Sequence, residues 1–525
     1  MEFPIYQSVV YFIMKILHKT NIDVWCRLVS LATFYLSVFV LKKVADLVID
    51  KKSAYCSCLI YLFAPFTILW SRAAMIDYMS VLFALIYVWG LYSWLVKGKK
   101  TIIITLLFGC MGYLLKVTTM FPYIFFLAYL IIRYFYEEII KYSGKFTLHT
   151  IFAYIGRNKV RIIILAVLCI LPVISGVCWI RYADAVKEQS VFTSEFTSEA
   201  LRSWNYGTME QKLQISNWSI VLRRLVQYIG GVPVAGCLIL LYLFLGKRRN
   251  LSIVISCTAA SILTIFILFN LYDFHDYYFI ALTPMLSMIY GVMLFTGIEK
   301  LFSAGNWGKT GVLVLVFVII FAEGRTNAVY LKYAITKEER GADADWLIAL
   351  GSYVGSITEP DERIVTQGEY AIATLPYYAD RKAMMIIAPY DETFYTDFLQ
   401  QDNYTTLVEP LPSSLIGELA KYYEIIIQYP GTAGRDIYKF YHTLPTKYEN
   451  LIKIRYSHVE EQMTVAVEFV NSEGKSFTDS INLLVDKDEI YYNIANSYYK
   501  ADDSWKDIQF VRFEVPDGIE ISAEY

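Results

Sequence analysis

A chain of 525 residues in which 56% are hydrophobic, with a positive mean hydropathy, is not a water-soluble globular protein. A formal net charge of −2 says nothing in favour of nucleic acid, and no nucleic-acid partner is expected. The composition points to a polytopic α-helical membrane protein.

The first segment, residues 1–23, opens with Glu2-Phe3-Pro4-Ile5-Tyr6-Gln7 and continues to His18 with Val9, Phe12, Ile13 and Ile16 on one face. This spacing predicts a helix lying in the interface plane on the outer side of the membrane. No basic, apolar targeting segment precedes it. A spanning helix and part of a first outer loop are therefore expected upstream of residue 1, the other reading being a natural start on the outer side.

The membrane part is expected over residues 24–330, as about ten apolar runs long enough to cross a hydrocarbon core of roughly 30 Å. They are Val24–Lys43, Ala54–Trp70, Tyr78–Val96, Thr101–Leu115, Met120–Tyr136, Ile162–Trp179, Ile229–Leu245, Leu251–Leu271, Tyr277–Ile298 and Val312–Tyr330. Runs such as Ile162–Ile170 are apolar on every side, as a lipid-embedded helix is. Lys and Arg collect in alternate loops: Lys42-Lys43, Lys51-Lys52, Lys97 to Lys100, Arg133 to Arg161, and Lys247-Arg248-Arg249. Those loops are read as cytoplasmic. The outer side then holds residues 1–23, Ser71–Asp77, the turn at Lys116, the Arg181–Tyr228 loop, Tyr272–Asp276 and everything after about Leu331.

An extracytoplasmic α/β domain is expected over 331–447, from short β-rich runs at Arg363–Gln367, Met384–Ala388 and Ile425–Gln428. Helical spacing at Ala371–Tyr378 and Ser413–Tyr423 alternates with them. A β-rich, sandwich-like domain is expected over 448–525, from Thr464–Val470, Ser480–Val485, Ile490–Ile494 and Gln509–Val515. All eight cysteines lie in or beside the apolar runs, so the C-terminal region is built without disulfides. Cys56 and Cys58 are packing residues on this reading, with no partner spaced for zinc. Asn217-Trp218-Ser219 and Asn403-Tyr404-Thr405 match a glycosylation tripeptide too short to carry meaning here.

The outer side gathers Glu2, Arg72, Asp77, Lys116 and the Asp273-Phe274-His275-Asp276 cluster. Ionisable groups at membrane depth are costly, and a convergent set is read as a functional site. Arg72 and Asp77 form either a local ion pair at the lipid boundary or a phosphate-binding cation beside a working carboxylate. Lys116 either extends its stem to reach water or contacts phosphate. His275, between acids and followed by Tyr277 and Tyr278, is either a surface histidine or a metal or phosphate ligand.

These residues carry a resemblance. Glu2 to Gln7, Arg27-Leu28-Val29-Ser30, Ser71-Arg72 with Asp77, Leu115-Lys116-Val117-Thr118, and His275-Asp276-Tyr277-Tyr278 with Pro284 resemble the bacterial branch of the protein O-mannosyltransferase and aminoarabinose transferase superfamily, membrane glycosyltransferases of GT-C type. Tyr377-Tyr378-Ala379-Asp380-Arg381-Lys382 resembles the exported domain of that branch. The resemblance implies a bacterial plasma-membrane enzyme that moves a sugar from a polyprenyl-phosphate donor to an acceptor hydroxyl, with inversion, on the outer face. The acceptor is a protein, a lipid or a wall polysaccharide. It further implies a general-base Asp upstream of the Glu-x-Pro segment, Asp77 as a catalytic residue and the second acidic residue of the cavity, and Arg72, Lys116, His275 and Tyr278 around the donor phosphate. A divalent cation is the one cofactor it suggests, with Glu2 and His275 as its ligands. Two other classes of function compete: a transporter of lipid-linked sugars, and a non-catalytic envelope-assembly protein.

Overall fold

In a computed structural model of the chain, the described residues are 2–19, 21–189, 191–194, 196–245, 250–335, 342–367, 373–386, 404–408, 424–428, 437–441, 451–460, 463–483, 488–493 and 507–524. Lys247-Arg248-Arg249, Ser413–Tyr423 and Asn403 lie outside them. The chain divides into two compact units, Met1–Ile335 and Thr336–Tyr525.

The first unit is helical. Its elements are α1 (Ile5–Leu17), α2 (Ile22–Val48), α3 (Lys51–Phe63), α4 (Pro65–Ser71), α5 (Asp77–Lys97), α6 (Ile102–Leu115), α7 (Val117–Ser143), α8 (Leu148–Arg157) and α9 (Lys159–Lys187). Short helices α10 (Val191–Ser194), α11 (Arg202–Tyr206) and α12 (Met209–Leu213) follow, then α13 (Ile215–Gln227), α14 (Val232–Leu245), α15 (Leu251–Ile267) and α16 (Phe269–Phe274). A 3-10 segment, Asp276–Leu282, leads into α17 (Thr283–Ser303) and α18 (Gly305–Ile335).

Among the described residues six helices are long and apolar enough to cross a membrane, or up to eight if each bent pair is one span. The bent pairs are α3 with α4, at 55°, and α13 with α14, at 80°. Proline explains the first: Pro65 stands at the start of α4, where its missing N–H costs nothing, and it ends α3 just before. Each of the ten expected runs falls on helix, but α6 has 14 residues and α15 has 17. At 1.5 Å per residue α6 reaches only about 21 Å, short of the hydrocarbon thickness. The ten runs therefore overcount the spans: Thr101–Leu115 is itself too short to cross, and α15 ends inside its run at Ile267.

The core is aromatic, with Tyr61, Tyr78, Tyr123, Tyr228 and Tyr272 fully buried. At the α3–α17 crossing, a Cβ on Gly291 would overlap the backbone of Ser57, so only glycine permits the approach. The predicted amphipathic helix is α1: Tyr6 and Val10 are buried in a small cluster with Val29 and Leu115, while Phe12 and Ile16 are exposed.

In the second unit, α19 (Ala342–Ile357) and α20 (Thr374–Ala379) pack together beside an eight-stranded sheet. Its strands are β1 (Arg363–Gln367), β2 (Lys382–Ile386), β3 (Tyr404–Val408), β4 (Glu424–Gln428), β5 (Ile437–Tyr441), β6 (Leu451–Ser457), β9 (Glu489–Asn493) and β11 (Glu520–Glu524). The order is β11-β6-β9-β4-β5-β3-β1-β2. β1 runs parallel to β2 and β3, and β9 parallel to β4 through Ile426↔Tyr491 and Ile427↔Tyr492. The expected domain boundary at 447/448 thus crosses one continuous sheet. The C-terminal region also forms a separate antiparallel sheet, β7 (Met463–Asn471) between β8 (Ser476–Leu483) and β10 (Ile508–Glu514).

Candidate active site

Lys116 occupies the break between α6 and α7 in extended backbone, and its Nζ donates to Asp77 Oδ1 at 2.8 Å. The two side chains are 10% and 4% exposed, so the ion pair is buried. Asp77 opens α5, where the helix N-terminus favours a negative charge. The Lys116 Nζ also lies 5.4 Å and 5.0 Å from the ring centres of Tyr277 and Tyr278, within cation–π range.

Glu2 joins this pair from the other end of the sequence. The Phe3 N–H donates to the Leu114 carbonyl at 3.1 Å, and the Phe3 ring meets Trp179 edge-on at 4.7 Å. A relay of hydrogen bonds ties α1, α2 and the approach to α5 together. The Tyr6 hydroxyl donates to the Cys26 carbonyl at 2.6 Å and lies 3.0 Å from Ser30 Oγ. Ser30 Oγ donates to the Met75 carbonyl at 2.8 Å and accepts from the Met75 N–H at 3.3 Å. Two residues on from Met75 is Asp77.

Burial pushes the Glu2 carboxyl above the usual carboxylate range; Lys116 pulls against it and Asp77 pushes with it. For Lys116 burial alone favours the neutral amine, but Asp77 and Glu2 outweigh it and hold the ammonium more firmly than usual. One cation is therefore shared by two carboxyl groups.

Glu2, Lys116 and Tyr278 line a cavity of about 290 Å³ together with Thr118, Trp179 and Asp184. Thr118 Oγ1 is buried with no hydrogen-bond partner among the described residues, an orphan that a ligand would satisfy. Asp184 is engaged: it accepts from the Ser198 N–H at 3.0 Å and pairs with Lys187 at 3.5 Å.

His275 ends α16, its ring centre 5.2 Å from Tyr277, 6.2 Å from Tyr278 and 6.0 Å from Trp204. Arg224 fastens this stretch by donating to the carbonyls of Tyr272 at 2.6 Å and Asp273 at 2.9 Å. Gln211 holds Asp273 Oδ2 at 3.0 Å. Asp273, one of the acids flanking His275, is thus partly structural.

Glu2, Asp77, Lys116 and Tyr278 come together, and His275 adjoins them through the stacked tyrosines. Arg72 does not join the ion pair. It caps α4, half-buried, and its side chain makes no hydrogen bond or salt bridge to any described residue; Asp77 takes Lys116 instead of its near neighbour in sequence. The metal-ligand expectation for Glu2 and His275 does not fit. No group of three His, Cys, Asp or Glu donors gathers among the described residues, and the charge between the carboxylates is already an ammonium. Sequence reasoning assigned no role to Thr118, Trp179 or the Tyr6–Ser30–Met75 relay. Thr118, Tyr6 and Ser30 each had a signal, standing in motifs quoted without a chemical role for them.

Residues 4–179 match the family described as dolichyl-phosphate-mannose-protein mannosyltransferase. No curated protein matches the chain. Among solved structures, ArnT from Cupriavidus metallidurans bound to undecaprenyl phosphate is 12% identical at a TM-score of 0.50, over 83% of this chain and 87% of that one. The oligosaccharyltransferase AglB from Archaeoglobus fulgidus, in complex with an inhibitory peptide and a dolichol-phosphate, is 11% identical at 0.51, over 99% and 88%. The same archaeal enzyme in complex with Zn and sulfate is 11% identical at 0.45, also over 99% and 88%.

Proposed function

We propose that this chain, a member of the GT-C glycosyltransferase superfamily and a multi-pass membrane protein, moves a sugar from a polyprenyl-phosphate donor to an acceptor hydroxyl with inversion at the anomeric carbon. The observation that carries this reading is the buried Lys116–Asp77 pair, whose Lys116 lines a cavity together with Glu2. ArnT and AglB have been solved with lipid phosphates, the ligand class that an ammonium at this depth suits.

The chemistry follows from the shared cation. An incoming donor phosphate competes with Asp77 for Lys116. Once engaged, Lys116 stabilises the negative charge that grows on the departing phosphate as the anomeric C–O bond breaks, with Arg72 as a second cation. Asp77, released from the ammonium, becomes a stronger base and takes the acceptor proton as the new glycosidic bond forms. His275 and Tyr278 border the donor. No step runs through a divalent cation. From the loop charges we propose that the Lys116 end and the C-terminal unit face outward from a bacterial plasma membrane. Protein, lipid and wall polysaccharide acceptors all offer the hydroxyl that this site requires.

The test uses the full chain purified in detergent, given polyprenyl-phosphate mannose as probe donor and a bacterial envelope fraction as acceptor. Transfer without closed compartments separates an enzyme from a transporter. The expected result is mannose transfer that Lys116→Met abolishes. Absence of donor-dependent transfer or donor cleavage, or full activity in Lys116→Met, would overturn the reading.

A further inference from the structure

The ends of α5 and α9 away from Lys116 hold a second cavity, of about 590 Å³. α5 starts at Asp77 and finishes at Lys97, and α9 starts at Lys159 and reaches the first cavity at Asp184, so this one lies a helix length away. It is lined by Trp94 and Gly98 at the end of α5 and by Arg157, Lys159 and Arg161 where α8 passes into α9. Among the described residues no carboxylate lines it.

The three cations differ. Arg161 is committed: it donates to the Leu95 carbonyl and its guanidinium lies 5.7 Å from the Trp94 ring and 5.2 Å from Tyr134. Arg157 and Lys159 are exposed and make no salt bridge to a described residue; Arg157 only lies over the Tyr142 ring at 5.4 Å. Around them the surface is apolar. On α8, Leu148, Phe152 and Ile155 lie at spacings of four and three on one face, 74%, 69% and 39% exposed. On the first turns of α9, Val160 and Ile163 are 72% and 62% exposed. α8 therefore has the form of a helix lying in the lipid interface, ending in cations at headgroup depth.

We propose that this cavity binds the headgroup phosphate of an anionic glycerophospholipid, whose acyl chains lie along the exposed apolar residues of α8 and the start of α9. Arg157 and Lys159 supply the charge, in an anion-free pocket between membrane helices. The apolar flank selects a lipid over a free phosphate ion. This site is separate from the transfer chemistry and does not depend on it.

The experiment measures thermal unfolding of the detergent-purified full chain by tryptophan fluorescence. Dioleoylphosphatidylglycerol, dioleoylphosphatidylcholine and inorganic phosphate are added separately. The anionic lipid is expected to raise the midpoint by several degrees over the zwitterionic one, with phosphate giving no shift. The Arg157→Gln/Lys159→Gln double variant is expected to melt like wild type in phosphatidylcholine and to bind phosphatidylglycerol roughly tenfold or more weakly, as the loss of two near-surface cations implies. Equal effects of the two lipids on wild type, or an unchanged preference in the variant, would overturn the proposal. So would inorganic phosphate reproducing the shift, since the ligand would then be a free anion. Native mass spectrometry of wild type in an equimolar lipid mixture stays readable whatever the variant's stability: enriched phosphatidylglycerol adducts support the site, and equal adducts refute it.

Discussion

The two ends of the same helices treat charge in opposite ways. At the Asp77 end of α5 and the Asp184 end of α9 each acid has a lysine: Asp77 with Lys116 at 2.8 Å, Asp184 with Lys187 at 3.5 Å. At the other ends Lys97, Lys99, Arg157 and Lys159 form no salt bridge with a described residue, and Arg161 rests on a carbonyl and two rings. Burial accounts for the contrast. A charge held away from water must be matched by a countercharge, whereas a cation at headgroup level finds partners in water and lipid phosphate. Paired ions mark the end where the protein keeps charge for its own use. On α5 and α9, unpaired cations mark the end that meets the membrane surface.

The largest effects should come from breaking the paired end. Asp77→Ala is expected to lower sugar transfer by about 100-fold or more, the scale seen when a preorganised charge is removed. It should also destabilise the fold by about 3–5 kcal/mol, because Lys116 would stay buried without its counterion. Lys116→Met should cost a similar amount. The Asp77→Leu/Lys116→Met double variant is expected to regain most of the stability and none of the activity. A double-mutant cycle in unfolding free energy, with transfer rates beside it, separates the two roles. Lys97→Met, at the opposite end of α5, should stay within about 0.5 kcal/mol of wild type.

A smaller effect is expected at the relay that places the paired end. Ser30 is fully buried and engages Met75 twice while touching Tyr6. Ser30→Ala should cost about 1–3 kcal/mol through the polar groups it leaves unmet. Its functional signature is a fall in kcat that Ser30→Thr restores in part, since a hydroxyl at this position holds the approach to Asp77. Unaltered transfer in Ser30→Ala would show that Asp77 is positioned by α5 alone.

Much of this site was legible in the sequence because membrane burial makes charges conspicuous. Asp77 and Lys116 stood out as ionisable residues at the ends of apolar runs, and the same property brought them into one buried pair. Arg72 was equally conspicuous but takes no part in that pair, and charge pattern could not say which cation Asp77 would choose: Arg72 is five positions away in sequence and Lys116 thirty-nine. The spans were legible as apolar runs but not all as lengths: the shortness of α6 was already in its run, whereas α15 ends at Ile267 inside a run that continues to Leu271. In the second unit the parallel pairing of β4 with β9 joins residues some sixty-five positions apart. Short strands carry no sequence mark of such a partner, which is why two domains were expected where one sheet runs through.

The smallest effect tests how the Lys116 ammonium is shared between Glu2 and Asp77. Folding raises the affinity of Glu2 for its proton above the ordinary value of 4.5, chiefly through burial. The folded chain therefore keeps that proton to higher pH than the unfolded chain does. This contribution to stability is fully present below about pH 4.5 and is lost as pH rises through the raised value. Glu2→Gln mimics the protonated carboxyl and removes the slope, so the stability of wild type relative to Glu2→Gln should fall with rising pH above about 4.5 and then level off. Differential unfolding of the two proteins from pH 4 to 8 reads this directly. A difference that grew with pH instead would mean that Lys116 holds Glu2 as a carboxylate, leaving Asp77 the weaker partner. The proton acceptor proposed for the transfer would then have to be reassigned.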